Sequence, residues 1–119
     1  GFFIQKLESR GTSPADLFGM SYICFAMEEK ELFRYLFMRS NALSEIKEAL
    51  APMMEHSISE LMAQYRISHE KADYLHDQLW MHTHGIASMI ATDFCAWDTG
   101  KISQMLKDSR ACFTREFEV

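Results

Sequence analysis

Histidine and aspartate side chains spaced along one segment are the first candidates for chemistry. Asp73 and His76 are three residues apart and His84 follows eight residues later, so a helix would place all three on one face. Such groups can ligate a metal ion. No second helix offers the Glu-x-x-His pattern that a di-iron bundle needs, and His82 and His84 would point about 200° apart. We therefore expect no bound metal, and a metal or redox helical bundle that uses Asp73, His76 and His84 remains an alternative function.

Other catalytic arrangements are not visible in the sequence. Cys24, Cys95 and Cys112 are odd in number and form no C-x-x-C pair. Free thiols are typical of a reducing compartment, which predicts a cytoplasmic protein. There is no Ser-His-Asp pattern, glycine-rich phosphate loop or paired carboxylate arrangement, and we expect neither enzymatic activity nor a cofactor.

Composition and charge narrow the class further. A chain of 119 residues with 48% hydrophobic and 24% charged residues fits one globular domain over 1–119. The net charge of −5 makes this polypeptide alone a poor partner for nucleic acid. No apolar run reaches the roughly 18 residues of a membrane span, so no membrane association is expected. Two prolines and five glycines leave little material for the tight turns of an all-β fold.

Apolar residues recur with helical spacing along almost the whole chain. The pattern predicts an all-α bundle of six to seven helices. Ser13 and Ser68 are predicted N-caps, a bend is expected at the charged run before Leu32, and Pro52 is expected to separate two helices. The predicted helices cover about 2–9, 14–28, 32–38, 42–51, 53–65, 68–97 and 101–117.

The helix predicted over 68–97 is apolar around most of its circumference, so it must be covered on several sides. Trp80, His84 and Ala87 would face the core, and Gly85 would permit close approach of another helix. The outward face and the last helix would form a four-helix bundle with a second copy of the chain; the alternative is a monomeric bundle. The predicted dimer-interface residues are Ile86, Met89, Ile90, Trp97, Ile102, Met105, Leu106 and Phe113.

Aromatic and methionine side chains on several of these helices could converge around a cavity. An apolar, aromatic cavity with few polar groups suits a small hydrophobic or aromatic molecule, and Met side chains would let it adapt. If these side chains instead pack on one another, the chain is a dimerisation module without a ligand. The predicted ligand-binding residues are Phe18, Tyr22, Phe25, Phe33, Phe37, Met54, Ile58, Met62, Trp80 and His84.

Two segments carry a family resemblance. Trp80-x-x-x-His84-Gly85-Ile86-Ala87 resembles the W-x-x-x-H-G-[LI]-A segment in the ligand-binding domain of TetR/AcrR-type transcriptional regulators. The segment from Tyr22-Ile23-Cys24-Phe25-Ala26 to Glu31-Leu32-Phe33-Arg34-Tyr35-Leu36-Phe37 resembles that family's A-Y-x-x-F-A-x-E-x-P-E-L-F-x-x-M-F segment. Order and spacing agree, and the likeness covers about 14–117. Lys30 stands where the family often has proline.

The resemblance implies a C-terminal sensing and dimerisation domain. The family's N-terminal helix-turn-helix is absent from this chain, so DNA contact would come only through that missing domain. By resemblance, the full protein binds an operator as a homodimer, and a small effector in this domain changes the spacing of the DNA-reading heads.

Overall fold

Five α-helices make up the part of the chain that the structure describes. The computed structural model describes residues 14–117 and contains no strand in that range. This confirms the all-α class, but five helices in the described range are fewer than the predicted six to seven. The elements are α1 (Pro14–Glu28), α2 (Lys30–Phe37), α3 (Leu43–Tyr65), α4 (His69–Ala91), α5 (Thr99–Thr114) and a 3-10 turn (Arg115–Phe117).

The lower helix count has two origins. Pro52 does not separate two helices, because α3 is continuous from Leu43 to Tyr65 with the proline inside it. Proline removes one backbone hydrogen bond, but Met54, Ile58 and Leu61 are all buried beyond it, and their packing offsets that loss. The predicted helix over 2–9 and the predicted cap at Ser13 lie outside the described residues.

The predicted bend between the first two helices of the fold is present at Glu29. Its backbone adopts φ −129° and ψ 62° between α1 and α2. Hydrogen bonds nevertheless continue across the bend, from Glu29 N–H to the Phe25 carbonyl and from Phe33 N–H to the Glu29 carbonyl, each at 2.8 Å. Lys30 therefore begins a new helix although it is not a proline.

The α4 helix ends at Ala91, and the prediction that it continues to about Trp97 is wrong. Asp93 adopts a left-handed φ of 59°. The N–H of Phe94 bonds to the Met89 carbonyl at 2.9 Å, and that of Asp93 bonds to the Ile90 carbonyl at 3.1 Å. This is the Schellman arrangement that satisfies the last carbonyls of a helix. This helix end was not predicted from the sequence, because aspartate and not glycine occupies the left-handed position.

Two side chains of α2 also hold this end of α4. Arg34 donates a hydrogen bond from its guanidinium to the Ala91 carbonyl, and Lys30 pairs with the Asp93 carboxylate. After the turn, the Asp98 side chain accepts from the Lys101 N–H at 2.8 Å and caps α5. Ser68 caps α4 in the same way, as predicted, by accepting from the Lys71 N–H at 3.2 Å.

The core has two parts, and α1 is central to the larger one. This helix packs against every other α-helix of the described range, and its residues Ile23 and Ala26 are fully buried. The smaller part lies between α3 and α4 and is covered by the end of α5. It contains Ile58, Leu61, Ala72 and Leu75, with Phe113 and Phe117 packed against it.

Arg110 links three helices through its guanidinium group. From α5 it donates to the Asp16 carboxylate of α1 at 2.8 Å. It also donates to Glu60 at 3.0 Å and to the Gln64 side-chain oxygen at 2.7 Å, both on α3. The side chain of Arg110 is only 14% exposed, so these charge-assisted bonds are stronger than those of a surface pair.

Replacing Arg110 by Met should therefore destabilise the fold by about 2 kcal/mol or more, because Glu60 would lose its partner in a partly desolvated position. Urea unfolding followed by circular dichroism measures the change. The exposed Arg115 provides the matched control, and Arg115→Met should change the free energy of unfolding by less than about 0.5 kcal/mol. Equal effects at the two positions would contradict the role given to Arg110.

Candidate ligand-binding cleft

Aromatic side chains from two other helices, α2 and α4, surround Tyr22 of α1. Its ring centroid lies 5.5 Å from that of Phe33, 5.0 Å from Phe37, 6.1 Å from Trp80 and 5.9 Å from His84. Helical spacing produces this arrangement: Phe33 and Phe37 are one turn apart on α2, and Trp80 and His84 are one turn apart on α4. Most of these pairs are edge-to-face or tilted, which is the favoured geometry for aromatic rings.

A hydrogen bond joins Tyr22 to His84 within this cluster. The phenol oxygen lies 2.6 Å from Nδ1 of the imidazole. Burial raises the pKa of Tyr22 to about 12, an effect that the adjacent Trp80 indole partly offsets, and burial lowers the pKa of His84. At neutral pH the phenol therefore keeps its proton and the imidazole is uncharged, so this is a hydrogen bond between two neutral groups.

An open cleft of about 610 Å³ adjoins the aromatic cluster. Residues from α1, α2, α3, α4 and the loop between α2 and α3 form its walls. Such a volume lies within the usual range for small-molecule sites. The lining residues are Tyr22, Phe37, Arg39, Asn41, Ala42, Leu43, Ile46, Lys47, Asp77, Trp80, Met81 and His84.

A smaller hollow of about 210 Å³ shares two lining residues with the cleft, Tyr22 and Phe37. The walls of the hollow are almost entirely apolar, and they comprise Phe18, Ser21, Tyr22, Phe25, Leu36, Phe37, Leu50 and Met53.

The predicted ligand-binding residues do not all meet at this place. Tyr22, Phe37, Trp80 and His84 line the cleft, and Phe18 and Phe25 line the smaller hollow. Phe33 is fully buried and Met54 is nearly so, both in the larger core. Ile58 and Met62 belong to the smaller core and lie apart from the cleft. Ligand contact at any of these ten positions stays a prediction.

Sequence reasoning missed the charged rim of the cleft. Lys47 Nζ lies 3.4 Å from Asp77 Oδ1, which joins α3 to α4. Arg39 pairs with Glu45 across the start of α3. All four side chains are at least one-third exposed, and exposed pairs contribute little to stability, so an incoming ligand can break them at small cost. Asp77 could have been found, because it lies three residues before Trp80 on the same helix.

The predicted dimer-interface residues differ in their availability. Ile86, Ile90 and Ile102 are at most 5% exposed and pack inside the chain itself, between α4 and its neighbours. Trp97, Met105, Leu106 and Phe113 are half-buried, and Met89 is exposed. The structure contains one chain, so dimerisation itself stays a prediction. The exposed large hydrophobic residues of α4 that a second copy could reach are Tyr74, Met81 and Met89.

The metal alternative gains no geometric support in the described part of the chain. Between residues 14 and 117 no three His, Cys, Asp or Glu side chains come close enough to hold a metal ion. His76 is buried with its ring 5.0 Å from that of Phe18, and His84 is bonded to Tyr22.

No helix between residues 14 and 117 combines the length and apolar content needed to cross a membrane.

Comparisons of the chain with protein-family models, with curated proteins and with solved structures find no match. The resemblance to TetR-type regulators therefore depends only on the two sequence segments that begin at Tyr22 and Trp80.

Acid should destabilise this protein through its buried histidines. Burial lowers the pKa of His76, although Asp77 and Asp73 partly oppose the effect, and Nδ1 of its ring has no hydrogen-bond partner among the described residues. Below the ordinary pKa of 6.5, the unfolded chain takes up a proton that the folded chain rejects. The free energy of unfolding should therefore fall as pH decreases from about 7.5 to 5.

Urea titrations at several pH values would measure this dependence. His76→Gln removes a titrating group from the core and should flatten the curve between pH 6.5 and 5. His82→Gln is the control, because His82 is exposed, and it should leave the slope unchanged. Identical slopes for both variants would show that His76 does not cause the acid sensitivity.

Proposed function

We propose that this chain is the effector-sensing, homodimerising regulatory domain of a TetR-like transcriptional regulator. The cleft would bind a small hydrophobic or aromatic effector, and DNA contact would come from a helix-turn-helix outside these residues. The observation that carries the proposal is the convergence of Tyr22, Phe37, Trp80 and His84 from three helices on one cleft of about 610 Å³. Two of these residues begin the segments that resemble the family.

The lining of the cleft defines the chemistry of its ligand. Phe37, Ile46 and Met81 offer apolar contact to a flat ring system, and methionine adapts to rings of different shape. Directional polar groups are few: the His84 imidazole, the Asn41 amide and the charged rim. A compound with one or two aromatic rings and a single polar group fits this arrangement.

The α4 helix connects this cleft with a surface that a second copy could reach. Trp80 and His84 line the cleft, and Met81, Gly85 and Met89 recur at intervals of four residues along an outer strip of the same helix. Met81 belongs to both surfaces, because it also lines the cleft. A ligand that displaces Trp80 would move the outer strip as well, because a helix shifts as a rigid element. In a dimer, that displacement would alter the relative position of the two subunits.

Gly85 supports an external contact at this strip. A Cβ atom added at Gly85 would meet nothing within 4 Å, so packing within the chain does not require glycine there. Glycine inside a helix costs about 1 kcal/mol relative to alanine. Close approach of a helix from a second copy would explain why a residue without a side chain lies between the exposed Met81 and Met89.

Ligand binding can be detected through Trp80. In a Trp97→Phe background Trp80 is the single tryptophan, and it lines the cleft. Non-fluorescent compounds with one or two aromatic rings and one polar substituent should change tryptophan emission saturably under selective excitation. At a ligand concentration of about 100 times Kd, the protein should gain about 2.7 kcal/mol of stability. If no compound binds a folded protein, the effector proposal fails and the ligand-free dimerisation module is favoured.

A steric block separates cleft binding from binding elsewhere. Ile46→Trp places a larger side chain in the cleft wall and should weaken binding at least tenfold in calorimetry. Ala63→Trp adds the same ring at an exposed position of α3 and should leave the affinity within twofold. Equal affinities for both variants would place the ligand outside the cleft.

Self-association should depend on the outer strip of α4. The wild-type chain is expected to be a dimer at micromolar concentration in light scattering. Met89→Glu should raise the dimer dissociation constant at least tenfold without loss of helicity, because Met89 is 41% exposed in the single chain. Ala63→Glu is the charge-matched control on α3 and should remain dimeric. A wild-type monomer at this concentration would contradict the dimer.

A further inference from the structure

A third concave region, in addition to the cleft and the smaller hollow beside it, lies between the first turns of α4 and the end of α5. It is an open groove of about 790 Å³. Asp77 is the residue of the described range that lines both this groove and the cleft. We call it the acidic groove, and its lining residues are Ser68, Glu70, Lys71, Asp73, Tyr74, Leu75, Asp77, Gln78, Phe113, Glu116 and Phe117.

The floor of the acidic groove is apolar and held in place by the smaller core. Leu75 is 3% exposed, and Phe113 and Phe117 are half-buried against the same cluster of α3 and α4 residues. The Phe117 ring lies 6.4 Å from that of Tyr65. At the edge, Tyr74 leaves 66% of its surface in solvent. Aromatic surface is thus available to a ligand on a supported floor.

The charges along the acidic groove are nearly all of one sign. Glu70, Asp73, Asp77 and Glu116 line it together with a single cation, Lys71. Asp77 has a partner in Lys47 at 3.4 Å. Within residues 14–117, no salt bridge engages Glu70, Asp73 or Glu116. Unpaired charges of one sign in a concave surface attract ligands of the opposite sign and repel anions such as nucleic acid.

The dimensions favour a ligand that carries several positive charges. The α4 part of the groove extends from Ser68 to Gln78, which corresponds to about 15 Å at a rise of 1.5 Å per residue. A single amine could satisfy only one of the carboxylates. A flexible polyamine could reach several of them, but it would leave the aromatic floor without contacts. A peptide that alternates basic and apolar side chains could contact both the carboxylates and the aromatic floor.

We propose that the acidic groove is a docking site for a basic, amphipathic peptide segment of a partner protein. Lysine or arginine side chains of the partner pair with Glu70, Asp73 and Glu116. An apolar side chain between them packs on Phe113 and Phe117. Among the described residues the acidic groove and the cleft share Asp77, and their other lining residues differ, so substitutions can address each site separately.

The experiment uses a fluorescein-labelled ten-residue peptide of Lys, Leu and Ala, titrated with the full chain and followed by fluorescence anisotropy. Saturable binding is expected. A peptide with Ser in place of Leu should bind at least tenfold more weakly, because it makes no contact with the floor, and one with Glu in place of Lys should not bind. Spermine that competes with the Lys-Leu peptide at equal or lower concentration would overturn the assignment of a peptide as the occupant.

Charge-matched variants of the protein locate the site. Asp73→Asn with Glu116→Gln should weaken the Lys-Leu peptide at least tenfold. Glu31→Gln with Glu48→Gln removes the same charge from exposed positions outside the groove and should change the affinity less than twofold. Equal weakening by both pairs would show general charge attraction and overturn the proposal, as would full affinity in the groove variant. Should the double variant lose helicity, Asp73→Asn and Glu31→Gln alone give the same comparison.

A variant of the cleft makes the outcome independent of the proposed effector. Ile46→Trp should bind the Lys-Leu peptide with wild-type affinity, because Ile46 lines the cleft and not the acidic groove. Loss of peptide binding in this variant would overturn the groove assignment. Loss of effector binding with retention of peptide binding in Ile46→Trp would support a peptide site separate from the cleft.

Discussion

The packing around Tyr22 is the interaction on which the candidate site depends. Its ring contacts aromatic side chains of α2 and α4, and its hydroxyl bonds to His84 at 2.6 Å. Because Tyr22 is on α1, which packs against all the other helices of the described range, its position is set by the whole core. The cleft thus lies at the edge of that core. The rings of α1, α2 and α4 form one side of it, and the first turns of α3 form the other.

The sequence predicted features that depend on local chemistry. The bounds of α1, the bend at the charged run and the cap at Ser68 all follow from neighbouring residues. Helical spacing also placed Phe18, Tyr22, Phe25, Trp80 and His84 among residues that meet, because residues one turn apart share a face.

Features that depend on distant residues were not predictable in the same way. The continuity of α3 through Pro52 requires the packing of Met54, Ile58 and Leu61 against other helices. The pattern placed Ile58 and Met62 with Trp80 among the predicted ligand-binding residues, because it could not show that they belong to a different cluster from Trp80. The pattern also predicted that Ile86 and Ile90 face outward. A helix that is apolar on two sides needs two packing partners, and the sequence does not reveal whether the second partner belongs to the same chain.

The end of α4 has a consequence for folding cooperativity. Its last carbonyl at Ala91 and the carboxylate of Asp93 are both held by cations of α2, Arg34 and Lys30. The Schellman hydrogen bonds are local, but these two cations are about sixty residues away in sequence, so their contribution to the end of α4 requires closure of a long loop. Because side chains of α2 complete the end of α4, the two helices should lose amide protection together as one cooperative unit.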